Sequence, residues 1–152
     1  MLSSALARAA QMLAPLTRGM TLGVRCCCID AQGRVFLVRH SYVPGWYLPG
    51  GAIERGETAL DALLRELSEE GGIRPSDEPR LFGIYHHQGN PRDHILLYVS
   101  RAFERPRPPH YPNREIVEAG FFPPDALPTE TSGATRRRLG EVLYGAARAG
   151  LW

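Results

Sequence analysis

Between Thr58 and Ile73 the sequence writes one helix with two faces that make opposite demands on the fold. Leu60, Leu63, Leu64 and Leu67 fall at i, i+3, i+4 and i+7, an apolar stripe that has to be buried against a sheet or another helix. Glu66, Glu69 and Glu70 repeat the same spacing on a different face. Like charges three and four apart cost a few tenths of a kcal/mol per pair, and Glu69 and Glu70 also stand at the negative end of the helix dipole, just before Gly71 and Gly72 stop it. A helix under no other demand would avoid this arrangement. It reads either as a solvated acidic face, with Arg65 partly neutralising Glu69 at i+4, or as a cluster of hard oxygen ligands suited to Mg²⁺ or Mn²⁺. Ala59 and Ala62 lie one and two turns before Glu66 and leave a shallow step where a bulky anion could rest. Glu57 adds a fourth carboxylate at the positive end of the helix, beside Thr58 as the expected N-cap.

Gly51, five residues, Glu57, seven residues, and then Arg65-Glu66-Leu67-Ser68-Glu69-Glu70-Gly71-Gly72-Ile73 resembles the complete Nudix box, with nine specified positions matched over 23 residues. The flanking strand pattern also resembles a MutT-like Nudix domain along nearly the whole chain. The resemblance implies an α+β fold, the Nudix α/β/α sandwich, with a mixed sheet between the box helix and a C-terminal helix. It implies metal-dependent hydrolysis of a nucleoside diphosphate linked to another moiety, with water attacking phosphorus. Glu66, Glu69, Glu70 and the Gly50 carbonyl are then the expected metal ligands, and Arg65 orients Glu57 and the other glutamates. A further carboxylate is expected near the last strand, Glu118 first and Glu115 second. The base that activates water stays open between Glu66, Glu118 and Glu115, since a carboxylate held by a cation is a poor base.

The family's substrate markers, a proline and a tyrosine beyond the box, do not match Pro91 or Tyr85 in spacing. ADP-ribose, a nucleotide sugar and a nucleoside triphosphate therefore all stay open as substrates. Two other readings stay open as well: a 5′-end RNA pyrophosphohydrolase using Arg136 to Arg138 and the arginine-rich proline segment from Arg105 to Pro112 as a phosphate-tracking surface, and a non-catalytic nucleotide sensor on the same scaffold.

At 152 residues, 43% hydrophobic and a net charge of +2, the chain suits one domain spanning 1–152, with 1–18 as a helical extension. All 18 basic residues are arginines, and this mild basicity does not by itself point to nucleic acid, so a small nucleotide is the expected partner. Cys26, Cys27 and Cys28 are consecutive and so point to alternate faces of a strand, which reads as buried packing in a reducing cytoplasm. No apolar run approaches the roughly 18 residues a membrane span needs.

In chain order, residues 3–14 read as an amphipathic helix, packed on the domain or used in homodimerisation. Residues 20–29 and 34–39 read as a hairpin around Asp30-Ala31-Gln32-Gly33. Trp46 is expected to pack rather than stack on a base. Residues 80–87 and 93–104 are two more strands, and Arg105 to Pro112 is an extended segment that serves as a substrate-side flap or a plain linker. Residues 114–122 are a final strand. A last helix runs from about Ser132 to Arg148, buries Leu139, Val142, Leu143, Ala146 and Ala147, and exposes Arg136, Arg137 and Arg138.

Overall fold

The computed structural model describes residues 19–152, so the expected helix over 3–14 lies outside the described residues. In order the elements are β1 (Thr21–Cys28), β2 (Val35–His40), α1 (Ala59–Gly71), β3 (Arg74–Pro75), β4 (Arg80–His86), β5 (Asp93–Ser100), β6 (Phe103–Glu104), β7 (Ile116–Phe122) and α2 (Gly133–Tyr144). β5 pairs parallel with β1 and antiparallel with β4, giving a mixed three-stranded sheet. β2 and β7 form an antiparallel pair, and β3 and β6 a short third one.

Strand alternation divides the core into two layers. Val24, Cys26 and Cys28 of β1 and Phe36 and Val38 of β2 face α1, packing with Ala62, Leu63 and Leu67. Cys27, Ile29, Val35 and Leu37 face the other way and pack with Trp46, Tyr85 and Leu139 of α2. Each helix thus covers one face of the strands, the α+β sandwich expected from the sequence. Every one of these side chains is at least nine-tenths buried, which for a full-size aliphatic stabilises by about 1.5–3 kcal/mol each. The cysteines are buried and unpaired, and Trp46 is a packing residue set edge-on to Phe122.

Several expectations are corrected. The turn at Asp30 forms, with Gly33 at φ 77° and the Asp30 amide bonded to the Arg34 carbonyl, yet β1 and β2 share only an isolated bridge, Ile29 with Val35. One edge of β1 pairs with β5, and the other is taken by residues 49–53, through Cys26 N–H to Pro49 O, Val24 N–H to Gly51 O and Ile53 N–H to Leu22 O. The expected hairpin is displaced by the loop that leads into the box. On α1 the buried stripe is rotated: Ala62 is in the core and Leu64 is 39% exposed, so the shallow step for an anion does not form. In place of Leu64, Glu66 and Glu70 are buried.

Thr58 caps α1 in a reciprocal capping box with Asp61, and Gly72 at φ 62° ends it in the left-handed conformation. The proline-rich segment is neither flap nor linker. It closes the carbonyl end of α1, with Arg105 Nε donating to Gly71 O and Tyr111 Oη donating to Glu70 O. Arg105 also lies over Phe36, 5.0 Å from the ring centre, and supplies the positive charge that the last turn of α1 lacks.

α2 is shorter than its pattern suggests. Gly145 at φ 67° stops it, which leaves Ala146 and Ala147 exposed beyond the helix. Arg138 is not part of a solvated face: it is fully buried, with Nη2 donating to Glu141 Oε1 at 2.7 Å and its guanidinium 4.3 Å from the centre of the Tyr85 ring. Arg136 and Arg137 stay exposed.

Candidate active site

Two glycines bring the loop before the box up against α1. Gly50 has φ 138°, a conformation L side chains rarely adopt, and a Cβ there would strike the Val24 carbonyl. A Cβ on Gly51 would strike the Glu66 carboxylate. With both side chains absent, the loop runs between β1 and the glutamates of α1. The Gly50 amide donates to Glu70 Oε2 at 2.8 Å, and the Gly50 carbonyl accepts from Arg25 Nη1 at 2.6 Å.

Arg65 organises the remaining acids. Its Nε and Nη2 grip both oxygens of Glu57 at 2.8 and 3.1 Å, the fork-on-carboxylate geometry. Nη1 reaches Glu66 Oε1 at 2.7 Å and Glu69 Oε2 at 3.5 Å, and Nη2 also donates to the Ala52 carbonyl. The Arg65 hydrogen bonds hold Glu57 down at about 2, so that residue stays charged. Glu66 is pushed above its ordinary value by burial, against the pull of Arg65.

Glu70 is the most buried of the set, at 1% exposure, and burial raises it to about 8 even though Arg25 and the Gly50 amide draw it down. Beside it His40 is driven down to about 4 by burial and by Arg25. His40 Nε2 and Glu70 Oε1 lie 3.6 Å apart, too far for a hydrogen bond, and Glu70 Oε1 and both ring nitrogens of His40 are buried with no hydrogen-bond partner. Ligand atoms of His40, Glu70 and Glu115 lie within 4.8 Å of one another. A buried carboxylate oxygen with no partner, Glu70 Oε1, is what a divalent cation would satisfy, so Glu70 fits the group expected from the sequence.

The structure brings together Glu57, Arg65, Glu66, Glu70 and Gly50. Glu69 is exposed on the same side and borders an open hollow with Tyr42 and Glu115. Glu118 is elsewhere: it binds Arg39 at 3.0 Å, and Arg39 lies over Trp46, on the α2 side of the strands. Of the two carboxylates expected near the last strand, Glu115 is the one beside Glu70. The sequence reading missed Arg25, His40 and Tyr42. Arg25 carried a faint signal, as a charged residue amid an apolar strand, and His40 and Tyr42 carried none.

A cavity of about 490 Å³ opens over this group, lined by Arg25, Tyr42, Gly50, Gly51, Glu66 and Glu115 and also by His87, Asn90, Ile95 and Trp152 among others. Its size and mixed lining suit a small polar ligand.

A family model for the NUDIX domain matches residues 19–141. The chain belongs to the NUDIX family. Its fold is similar to the MutT NUDIX hydrolase from Burkholderia pseudomallei, with a TM-score of 0.69 and 27% identity, over 80% of this chain and 97% of that one. An ADP-ribose pyrophosphatase from Streptococcus suis shares the fold at a TM-score of 0.57 and 21% identity, over 84% of this chain and 93% of that one. In sequence, an RNA pyrophosphohydrolase from Francisella tularensis subsp. mediasiatica is 39% identical over 59 residues, 39% of this chain and 38% of that protein. An m7GpppN-mRNA hydrolase from Danio rerio is 34% identical over 100 residues, 55% of this chain and 33% of its own length. The matched stretch thus spans only about a third to two-fifths of these relatives. Hydrolases of this family generally need a divalent metal. Among the described residues, no helix is long and apolar enough to cross a membrane.

Proposed function

We propose that this chain hydrolyses the pyrophosphate bond of a small nucleoside diphosphate derivative, with Mg²⁺ or Mn²⁺ held by Glu66, Glu69 and Glu70 and by the free lone pair of the Gly50 carbonyl. The observation that carries the reading is the buried, unsatisfied Glu70 oxygen, on the helix whose Glu66 lines the cavity and is held by Arg65. When bound, the cation neutralises phosphate oxygens and acidifies water. Arg65 keeps Glu57 charged and holds Glu66 in place. Arg25 lines the cavity beside Gly50, and its N–H groups can meet a phosphate oxygen. Water adds to one phosphorus, the bridging P–O bond breaks, and its electron pair leaves on a phosphate ester.

Glu115 is our choice for the group that takes the proton from water. It is exposed on a different element from the metal-binding helix and borders both the cavity and the hollow in front of Glu69. Two observations favour a small nucleotide over RNA. Arg138 is buried, and Arg136 is spent on the carbonyls of Pro128 and Thr131, so the arginine run offers little surface to a phosphate backbone. The test is a panel of ADP-ribose, nucleotide sugars, nucleoside triphosphates and triphosphorylated or capped RNA, incubated with Mg²⁺ and with Mn²⁺ and resolved by product mass. Turnover of a small nucleotide is expected; turnover of RNA alone would overturn the substrate class.

A further inference from the structure

The chain does not end its useful structure with α2. After Gly145 it doubles back along β4, where His86 N–H donates to Gly150 O at 3.0 Å and Trp152 N–H donates to His86 O at 2.9 Å. Arg137 Nη2 holds the Trp152 carbonyl at 3.1 Å, and buried Arg138 donates to Leu151 O. The indole stands edge-on to the Tyr85 ring, at 71° with centroids 5.8 Å apart, and Tyr85 is in turn anchored by its hydroxyl to Glu141 Oε2 at 2.6 Å. Trp152 is therefore fixed by backbone and aromatic contacts together.

A tryptophan serving only the core would be sunk like Trp46, at 7% exposure, whereas Trp152 is only half-buried and lines the cavity that runs to Gly50, Gly51 and Glu66. The same cavity offers charged and backbone groups, from Arg25, Glu66, Glu115 and the Gly50–Gly51 backbone, and an aromatic surface from Trp152. We propose that Trp152 is a specificity-determining residue whose indole stacks on the nucleobase of a nucleoside diphosphate while its phosphates lie beside Arg25, Gly50 and Glu66. This rests on the proposed function for the phosphate end only. A rigid aromatic plane of this kind binds any base by its face, with little sequence preference.

The experiment compares two non-hydrolysable probes with Mg²⁺, α,β-methylene-ADP and the base-free methylenediphosphonate, on the full chain by calorimetry and tryptophan fluorescence. Trp152→Ala should weaken α,β-methylene-ADP by about tenfold or more, the scale of one base–aromatic stack, and leave methylenediphosphonate within about twofold, the diphosphonate contacts being untouched. Trp152→Phe should keep most of the affinity but lose the fluorescence change. Retained methylenediphosphonate binding and a thermal melt show that the Ala variant is folded. An unchanged affinity for α,β-methylene-ADP in Trp152→Ala, an equal loss for both probes, or no binding of α,β-methylene-ADP by the wild type would overturn the inference. A Trp152-dependent complex in an enzyme that turns over no pyrophosphate compound would instead overturn the proposed hydrolysis and leave the stacking site standing.

Discussion

Replacing Arg138 by methionine tests whether that arginine is structural. The side chain has no exposure, and its loss strips Glu141, itself 5% exposed, of its charged partner. Breaking a buried ion pair from one side costs about 3–5 kcal/mol because a desolvated charge is left behind. Glu141 would keep the Tyr85 hydroxyl at 2.6 Å and the Ala149 amide at 3.3 Å, which argues for the lower end of that range. The cation–π contact with Tyr85, worth up to about 2 kcal/mol when desolvated, is partly replaced by a sulfur–aromatic contact. We expect a loss of about 3 kcal/mol in urea unfolding at pH 7, and a fall in Tm of roughly 10 °C for a domain of this size. Glu141→Leu should cost a similar amount, and the double variant clearly less than the sum, with a coupling above about 1.5 kcal/mol. Arg137→Met, one position away and exposed, is the control and should stay within about 0.5 kcal/mol. An Arg138→Met loss below about 1 kcal/mol, the size of a surface pair, would refute the buried network.

Glu70→Gln should leave the fold intact and lower kcat by about two orders of magnitude or more, the scale of lost electrostatic stabilisation at a reacting phosphate; near-normal turnover at saturating Mg²⁺ would remove it from the ligand set. EDTA should abolish activity, checked by restoring Mg²⁺ or Mn²⁺ to the chelated enzyme. Glu115→Gln is expected to slow turnover more than Glu118→Gln, measured from pH 6 to 9, and the reverse order would return Glu118 to the mechanism. Cys26, Cys27 and Cys28 have no exposure, so alkylation of the native protein should be slow, read by intact mass, and activity should outlast it.

What the sequence made legible was local. The alternation of β1 and β2 sorted Cys26 and Cys28 from Cys27, and the box spacing found Arg65 and the glutamates it holds. What it could not show was which distant element fills a given edge or covers a given side chain. The turn chemistry at Asp30 is real, but pairing is settled by competition, and residues 49–53 win the edge of β1 from β2. Arg138 looks like its two neighbours in the sequence. It is buried because Tyr85, 53 positions earlier, and the returning residues 149–152 close over it. Trp152 carried no pattern at all, since nothing periodic surrounds it.

The choice between Glu115 and Glu118 turns on one extra residue. In a regular β7, residues 116, 118 and 120 would share one face, so any carboxylate sought on that strand would be found by counting in twos. Arg39 pairs with Glu118, but the next residue, His40, pairs with Ile116, and Val117 is left over as a bulge. On the far side of it, Ala119 and Phe121 pack toward α1. Counting on in twos would put Val117 there, yet Ile116 is the residue in the α1 core, at 1% exposure. The bulge has exchanged the faces. Glu118 is thereby left with Arg39 and Trp46 on the α2 side, while Ser41 N–H bonds Glu115 O and Asn113 Oδ1 caps the amides of both Glu115 and Ile116. Those bonds fix the strand entrance beside His40 of β2 and Glu70 of α1, where Glu115 comes within 4.8 Å of both. Deleting Val117 would place Ile116 directly before Glu118, and simple alternation would then keep Ile116 in the α1 core opposite His40 and Glu115 on the side of Glu70. A variant with that deletion is therefore expected to keep its fold and its turnover, measured by urea unfolding and initial rates, as is Val117→Ala. A Val117 deletion that lost stability and activity together would mean that the extra residue is not what sets the two faces.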